Sequence, residues 1–236
     1  MKSWHHQAIE HAAAAYQSGA REACGLIVFN GTSVAYRACR NVAAGVDEFE
    51  ISAEEFVAAE DAGEIVGVFH SHPDAPATPS AADRAACDAS GLPWFILGLP
   101  NRTWAFCGPA GAPMPYTGRP FIHGAIDCYT LLRDWHRHER GIELLDFSRK
   151  DEWWKAGQNL YVENFGRAGF SEISIARSRP SDVVLMAVKS DVPNHAGILL
   201  DGNTMLHHLY DRLSEITSYS GFFRSCTTHF LRHADA

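Results

Sequence analysis

The chain has 236 residues, enough for one large domain or two of ordinary size, since domains cluster at roughly 100–150 residues. With 46% hydrophobic residues, 20% charged residues and a net charge of −8, it can bury a core and is not a disordered polyelectrolyte. A pI near 5.9 argues against nucleic acid as a partner, because phosphate neutralisation needs concentrated Lys and Arg.

The N-terminus, Met1-Lys2-Ser3-Trp4-His5-His6, leads into an Ala-rich helical pattern broken by Glu10 and His11. That is not the apolar core of a signal peptide, and no segment reaches the ~18–20 apolar residues of a membrane span. The six cysteines contain no C-x-x-C pair, so they form neither a disulfide framework nor a zinc ribbon. The expectation is synthesis in a reducing cytoplasm without a signal peptide.

A helix is predicted over 5–19, then a strand over 22–29, a hairpin turn at Asn30-Gly31 and a return strand over 34–39. Ser52 with Glu55 has capping-box spacing and starts a second helix that runs toward Gly63. A buried strand over 65–69 delivers His70-Ser71-His72-Pro73; a helix follows from Ser80, and a strand covers 94–97. Residues i and i+2 of a strand share a face, so two imidazoles can reach one ion. Zinc takes about four tetrahedral ligands, and Asp83 in the first turn of the next helix is positioned to fold back as a third. By itself, Ser80-Ala81-Ala82-Asp83 reads as a plain capping box.

Taken together, His70, Ser71, His72, Ser80 and Asp83 make the pattern H-S-H-x7-S-x2-D. This resembles the JAMM (MPN-type) zinc metallopeptidase family. The resemblance covers residues 1–107 and implies a mixed sheet with helices of the cytidine-deaminase-like kind. It implies one Zn²⁺ held by His70, His72 and Asp83, with Glu22 as general base and Ser80 hydrogen-bonding the oxyanion.

Residues 108–115, Gly108-Pro109-Ala110-Gly111-Ala112-Pro113-Met114-Pro115, read as a linker. The charge changes there: 6 basic and 13 acidic residues lie in 1–110, against 14 and 15 in 111–236. A second domain over 116–236 follows. Gly124-Ala125-Ile126-Asp127-Cys128 turns into an amphipathic helix with Cys128 at its first turn, where the helix N-terminus favours thiolate over thiol. Strands are predicted over 182–188, 195–200 and 204–209, with Asp201-Gly202 as a turn. A helix followed by an antiparallel sheet is the layout of a papain-like core.

Gly-x-x-Asp-Cys, then Pro180-Ser181-Asp182-Val183-Val184-Leu185, then His195-x-Gly-Ile and His207 twelve residues on resemble the NlpC-type cysteine peptidases, papain-like enzymes that cut peptidoglycan stem peptides. The resemblance implies Cys128 as nucleophile, His195 as base, His207 as the residue orienting that imidazole, and Tyr116 as a tyrosine near the substrate. The segment 144–179 exceeds what the family needs, so Trp153-Trp154 reads as an added lid or docking surface. The expected fold is a two-domain α+β chain.

The order of the two domains, with Gly118-Arg119-Pro120-Phe121-x-His123-Gly124 before the cysteine, resembles the tail assembly (tail tip) protein K family of long-tailed bacteriophages. That resemblance implies other tail tip proteins as partners, a place in the virion tail, and a part in tail assembly and wall penetration. Two alternatives stand beside it: a mainly structural assembly factor with dispensable catalytic residues, and a bacterial JAMM/NlpC peptidase unrelated to phage.

Overall fold

The Ala-rich segment after Ser3 forms α1 (Trp4–Gln17), burying Trp4, Ala8 and Ala12. The structure is a computed structural model and describes residues 2–19, 21–45 and 48–235. The chain folds into two compact units, Met1–Pro115 and Tyr116–Ala236.

In the first unit, α1 is followed by β1 (Cys24–Phe29), β2 (Val34–Cys39), α2 (Ala53–Glu60), β3 (Glu64–His72), α3 (Ala81–Ser90), β4 (Trp94–Gly98) and β5 (Thr103–Cys107). Asn30 closes the β1–β2 turn, its Oδ1 accepting from the N–H groups of Thr32 and Ser33 at 3.0 and 2.9 Å. The sheet order is β2-β1-β3-β4-β5. Neighbours are antiparallel except β3 and β4. A parallel pair needs a crossover, and α3 supplies it.

Three local expectations change. β3 extends to His72, because pairing of His70 with Ile96 and His72 with Gly98 keeps the histidines inside the strand. Ser52 caps α2 without a side-chain hydrogen bond to the helix; its hydroxyl engages the Glu54 carboxylate instead. Residues 108–115 belong to the first unit. Pro109–Gly111 is a 3-10 turn, and Ala110 N–H donates to Asp88 at 2.6 Å. β5 was not predicted from the sequence, since its half-exposed residues show no clean alternation.

In the second unit, α4 (Cys128–Arg140) is followed by α5 (Leu160–Asn164), β6 (Phe170–Ile173), β7 (Val183–Met186), β8 (His195–Leu200), β9 (Thr204–His207), β10 (Glu215–Ser218), α6 (Gly221–Cys226) and β11 (Thr227–His233). The strands form one antiparallel sheet ordered β10-β9-β8-β7-β11-β6. α4 buries Cys128, Tyr129, Leu131, Leu132, Trp135 and His136 and ends at Gly141, whose φ of 67° suits a left-handed cap. Its apolar face shares a core with Val183, Leu185, Ile198 and Leu231. Burial of each such side chain contributes about 1.5–3 kcal/mol. Trp153 is 2% exposed and part of that core, so it is not a lid residue. No helix among the described residues is long and apolar enough to cross a membrane.

Candidate metal centre and candidate thiol site

Alternation along β3 turns the imidazoles of His70 and His72 the same way, with Nε2 of one 3.1 Å from Nε2 of the other. Ser71 between them faces away. Its Oγ accepts from Ala23 N–H at 3.0 Å, and its own N–H donates to the Ala23 carbonyl at 3.0 Å. Both bonds tie down the residue next to Glu22, and Asn41 Nδ2 donates to the Glu22 carbonyl at 3.0 Å. A Glu22 carboxylate oxygen thereby comes within 4.8 Å of the His70 and His72 ring nitrogens.

Asp83 joins the same cluster. Its Oδ1 is 3.2 Å from His70 Nε2 and its Oδ2 is 3.4 Å from His72 Nε2. The return of the loop over 73–79 depends on Gly98, where a Cβ would stand 2.5 Å from Ala77 N. The capping box also forms: Ser80 Oγ accepts from Asp83 N–H at 3.0 Å, and Ser80 N–H donates to Asp83 Oδ2 at 2.7 Å. One carboxylate therefore serves as both cap and cluster member. Ser80 is exposed, and its hydroxyl proton remains for a further acceptor.

The donors fit a small divalent cation. Tetrahedral ligands at about 2.0–2.1 Å from an ion lie roughly 3.3–3.4 Å from one another, close to the 3.1–3.4 Å found here. His72 Nδ1 donates to the Pro76 carbonyl at 2.7 Å, which leaves the Nε2 lone pair toward the cluster. His70 is fully buried, stacked 4.7 Å from Phe49 and edge-on to Trp94 at 5.4 Å. Burial lowers its pKa against the pull of Asp83, which keeps the imidazole neutral. Burial opposes ionisation of Asp83, but His70 and His72 together outweigh it and hold the carboxyl well below the usual range. The hydrogen bond with Asp83 raises the pKa of His72.

In the second unit, Asp127 caps α4. Its Oδ1 accepts from the N–H groups of Tyr129 and Thr130 at 3.1 and 2.9 Å, and its Oδ2 accepts from Gly124 N–H at 2.9 Å. Residues Ile122 and Ile126 bridge across that turn, at whose Gly124 a Cβ would meet Arg149 O at 2.5 Å. Arg149 donates to Asp127 through Nε at 2.8 Å and Nη2 at 3.3 Å. Burial resists ionisation of Asp127, yet Arg149 prevails and brings its pKa to about 2.

Cys128 is the first residue of α4 and His195 the first of β8. Both line one cavity of about 580 Å³ with Tyr161, His123, Trp154 and Tyr210. Tyr161 brings its hydroxyl 3.1 Å from Cys128 Sγ. His195 Nε2 lies 3.0 Å from His207 Nδ1, and His207 Nε2 lies 3.7 Å from Glu215 Oε1. His208 stands apart from this chain of contacts: its Nε2 sits 3.2 Å from the Arg212 carbonyl, with its ring edge-on to Phe121 at 5.0 Å.

Two expectations are corrected. The thiol is not shifted toward thiolate. Burial, then the Asp127 charge, pushes Cys128 up to about 11, against weaker help from Tyr161, the Ala196 backbone and Arg149. The capping carboxylate that completes the helix N-terminus cancels its benefit to the sulfur. Burial also holds His195 well below the ordinary imidazole value and brings His207 to about 4, so thiol and imidazole rest uncharged.

Tyr116 does not line the cavity. Its hydroxyl donates to Glu139 in the last turn of α4 at 2.9 Å, and Arg119 nearby donates to Asp134 at 2.6 Å. These contacts carry the segment along α4, away from Cys128. Sequence reasoning read Ser71 only as a motif position, with no role, and passed over Arg149 and Tyr161. Asp127 stood in the motif, but no local pattern pointed to its partner Arg149, 22 residues further on in the loop after α4.

The model for prokaryotic homologs of the JAB domain matches residues 1–107, and the NlpC/P60 family model matches residues 118–232. The chain is 40% identical over 228 residues to tail tip assembly protein K of Escherichia phage N15, covering 95% of this chain and 92% of that one. It is 39% identical over 183 residues to tail tip assembly protein K of Escherichia phage lambda, covering 78% and 89%. Among solved structures, an NLP/P60-family lipoprotein-like protein of Staphylococcus aureus is 20% identical with a TM-score of 0.36, covering 50% of this chain and 37% of that one.

Proposed function

Because the chain belongs to the tail tip assembly protein K family, we propose that it is a tail tip component with two hydrolytic centres, of which the second unit cuts peptidoglycan stem peptides with Cys128. The observation that carries this reading is the 3.0 Å contact of His207 with His195, which lines the same cavity as Cys128. With Nε2–H of His195 donating to His207 Nδ1, His207 keeps its own proton on Nε2, on the side of Glu215. His195 Nδ1 then holds a lone pair for the thiol proton. As the substrate binds, the thiol proton passes to His195. Sγ adds to the carbonyl carbon, the imidazolium returns its proton to the departing amine, and water releases the acyl group.

In the first unit we assign a zinc-dependent peptidase or isopeptidase centre, with His70, His72 and Asp83 as ligands. A bound zinc ion supplies polarisation of a carbonyl and acidification of water. Glu22, fixed through Ala23 and Ser71, takes and returns the proton, and the Ser80 hydroxyl donates to the developing oxyanion. Other tail tip proteins are the partners, and the virion tail is the place of action.

The test is digestion of purified peptidoglycan by the full chain. Stem-peptide fragments should appear with the natural chain and vanish with Cys128→Ala. The alternative is a structural reading in which Cys128 has no chemical role. It requires that no fragments form and that Cys128→Ala still supports assembly of infectious tails.

A further inference from the structure

Tyr161 lies in α5, inside the segment that exceeds the length the NlpC-type resemblance needs. Its ring is 4% exposed and is packed by Trp153 at 5.4 Å, Tyr129 at 6.0 Å and Phe147 at 6.2 Å. The hydroxyl is thereby held 3.1 Å from Cys128 Sγ, at the wall of the cavity that His195 shares.

We propose that Tyr161 is a catalytic residue of the thiol site, donating its O–H to the Cys128 thiolate and then to the oxyanion formed when that sulfur adds to a peptide carbonyl. The second half of this role rests on the peptidase reading above; the first half does not. In the resting pair either group can donate. Once the thiol proton passes to His195, sulfur becomes an acceptor alone and the bond becomes charge-assisted. The contact therefore strengthens as the reaction proceeds, which is the condition for lowering a barrier. Attack forms the Sγ–C bond and moves the carbonyl electron pair onto oxygen. That oxygen sits on the carbon now bonded to sulfur, within reach of a donor placed 3.1 Å from Sγ. Collapse restores the carbonyl, expels the amine with the proton from His195, and leaves a thioester for water to cleave.

Burial and the neighbouring Cys128 and Asp127 hold the phenol well above its ordinary pKa, so it stays a donor. The groups acting on the sulfur are Asp127 at the start of α4, Arg149 from the loop after it, Tyr161 on α5 and the Ala196 backbone on β8. His207, His208 and Asp127 act on His195, the two histidines lowering its pKa and Asp127 raising it.

Tyr161→Phe in the full chain keeps the ring and removes the donor. Iodoacetamide labelling of Cys128, followed by peptide mass between pH 8 and 9.5, reads the thiolate and generates no oxyanion. Labelling should slow roughly tenfold at each pH, as expected for losing a hydrogen bond to a charged group. Difluorotyrosine at position 161, a stronger donor, should speed it, a response that loss of packing does not produce. On a stem peptide, Tyr161→Phe should lower kcat roughly 10²–10³-fold with little change in KM. Unchanged labelling with both variants overturns the proposal. Slowed labelling with unchanged kcat overturns the oxyanion role. A natural chain that cuts no stem peptide, yet shows the labelling response, overturns the peptidase reading and upholds the thiolate contact.

Discussion

Arg149 closes on Asp127 with Nε 2.8 Å from Oδ2, and their side chains are 1% and 2% exposed. Asp127 lines the cavity and caps the helix that begins at Cys128. Its carboxylate also accepts from Gly124 N–H, so one buried charge organises both the turn before the cysteine and the helix after it.

Replacing Arg149 with Met should cost roughly 3–5 kcal/mol, since it leaves a buried charge uncompensated. Urea denaturation of the full chain, followed by a probe in the second unit, measures it. Asp127→Asn with Arg149→Met should recover part of the loss.

Acid should unfold the second unit through the same pair. Asp127 has a folded pKa near 2, below its ordinary value of about 3.9. The stabilisation is present in full above about pH 4 and is lost as pH falls through 2, amounting to roughly 2–3 kcal/mol. A near-UV dichroism titration should show the transition there.

Cys128 should be slow to alkylate at neutral pH, with a rate that climbs toward about pH 11. Cys226 is half-buried while the other five cysteines are buried, so iodoacetamide at pH 7 should modify Cys226 first. Rapid modification of Cys128 at pH 7 would restore the thiolate picture drawn from its place at a helix start.

His207→Ala should lower turnover roughly 10²-fold or more, by freeing the wrong tautomer of His195, and His207→Asn should recover part of it. His208→Ala should act on stability instead, because it empties a fully buried volume and removes the ring's contact with the Arg212 carbonyl. Paired kinetic and melting measurements separate the two.

Elemental analysis of the full chain should find one zinc, absent from His72→Ala. Cys128 labelling should be the same in both proteins. A chelator should leave stem-peptide cleavage intact, and loss of that cleavage on chelation would contradict two separate centres.

Local chemistry made much of this protein legible. The period-2 placement of His70 and His72, the Ser80–Asp83 spacing, the Asn30-Gly31 turn and the amphipathic helix from Cys128 are all short-range features, set by backbone periodicity and turn preference. The family resemblances rested on those same residues, and the two-domain α+β class followed from them.

Tertiary structure decided the rest. Ser71 reads as motif filler until the sheet pairs it with Ala23, far away in sequence, and so aims Glu22. Arg149 and Tyr161 come from chain whose position no periodicity specifies; packing against α4 alone brings them to Asp127 and Cys128. Tyr116 had the right spacing from the cysteine, but spacing outside regular structure fixes no direction, and its segment runs toward Glu139. The charge state of the thiol was likewise beyond local reading. The helix N-terminus is a property of sequence position, whereas burial and the capping carboxylate are properties of the folded site, and in a low-dielectric interior these two outweigh it.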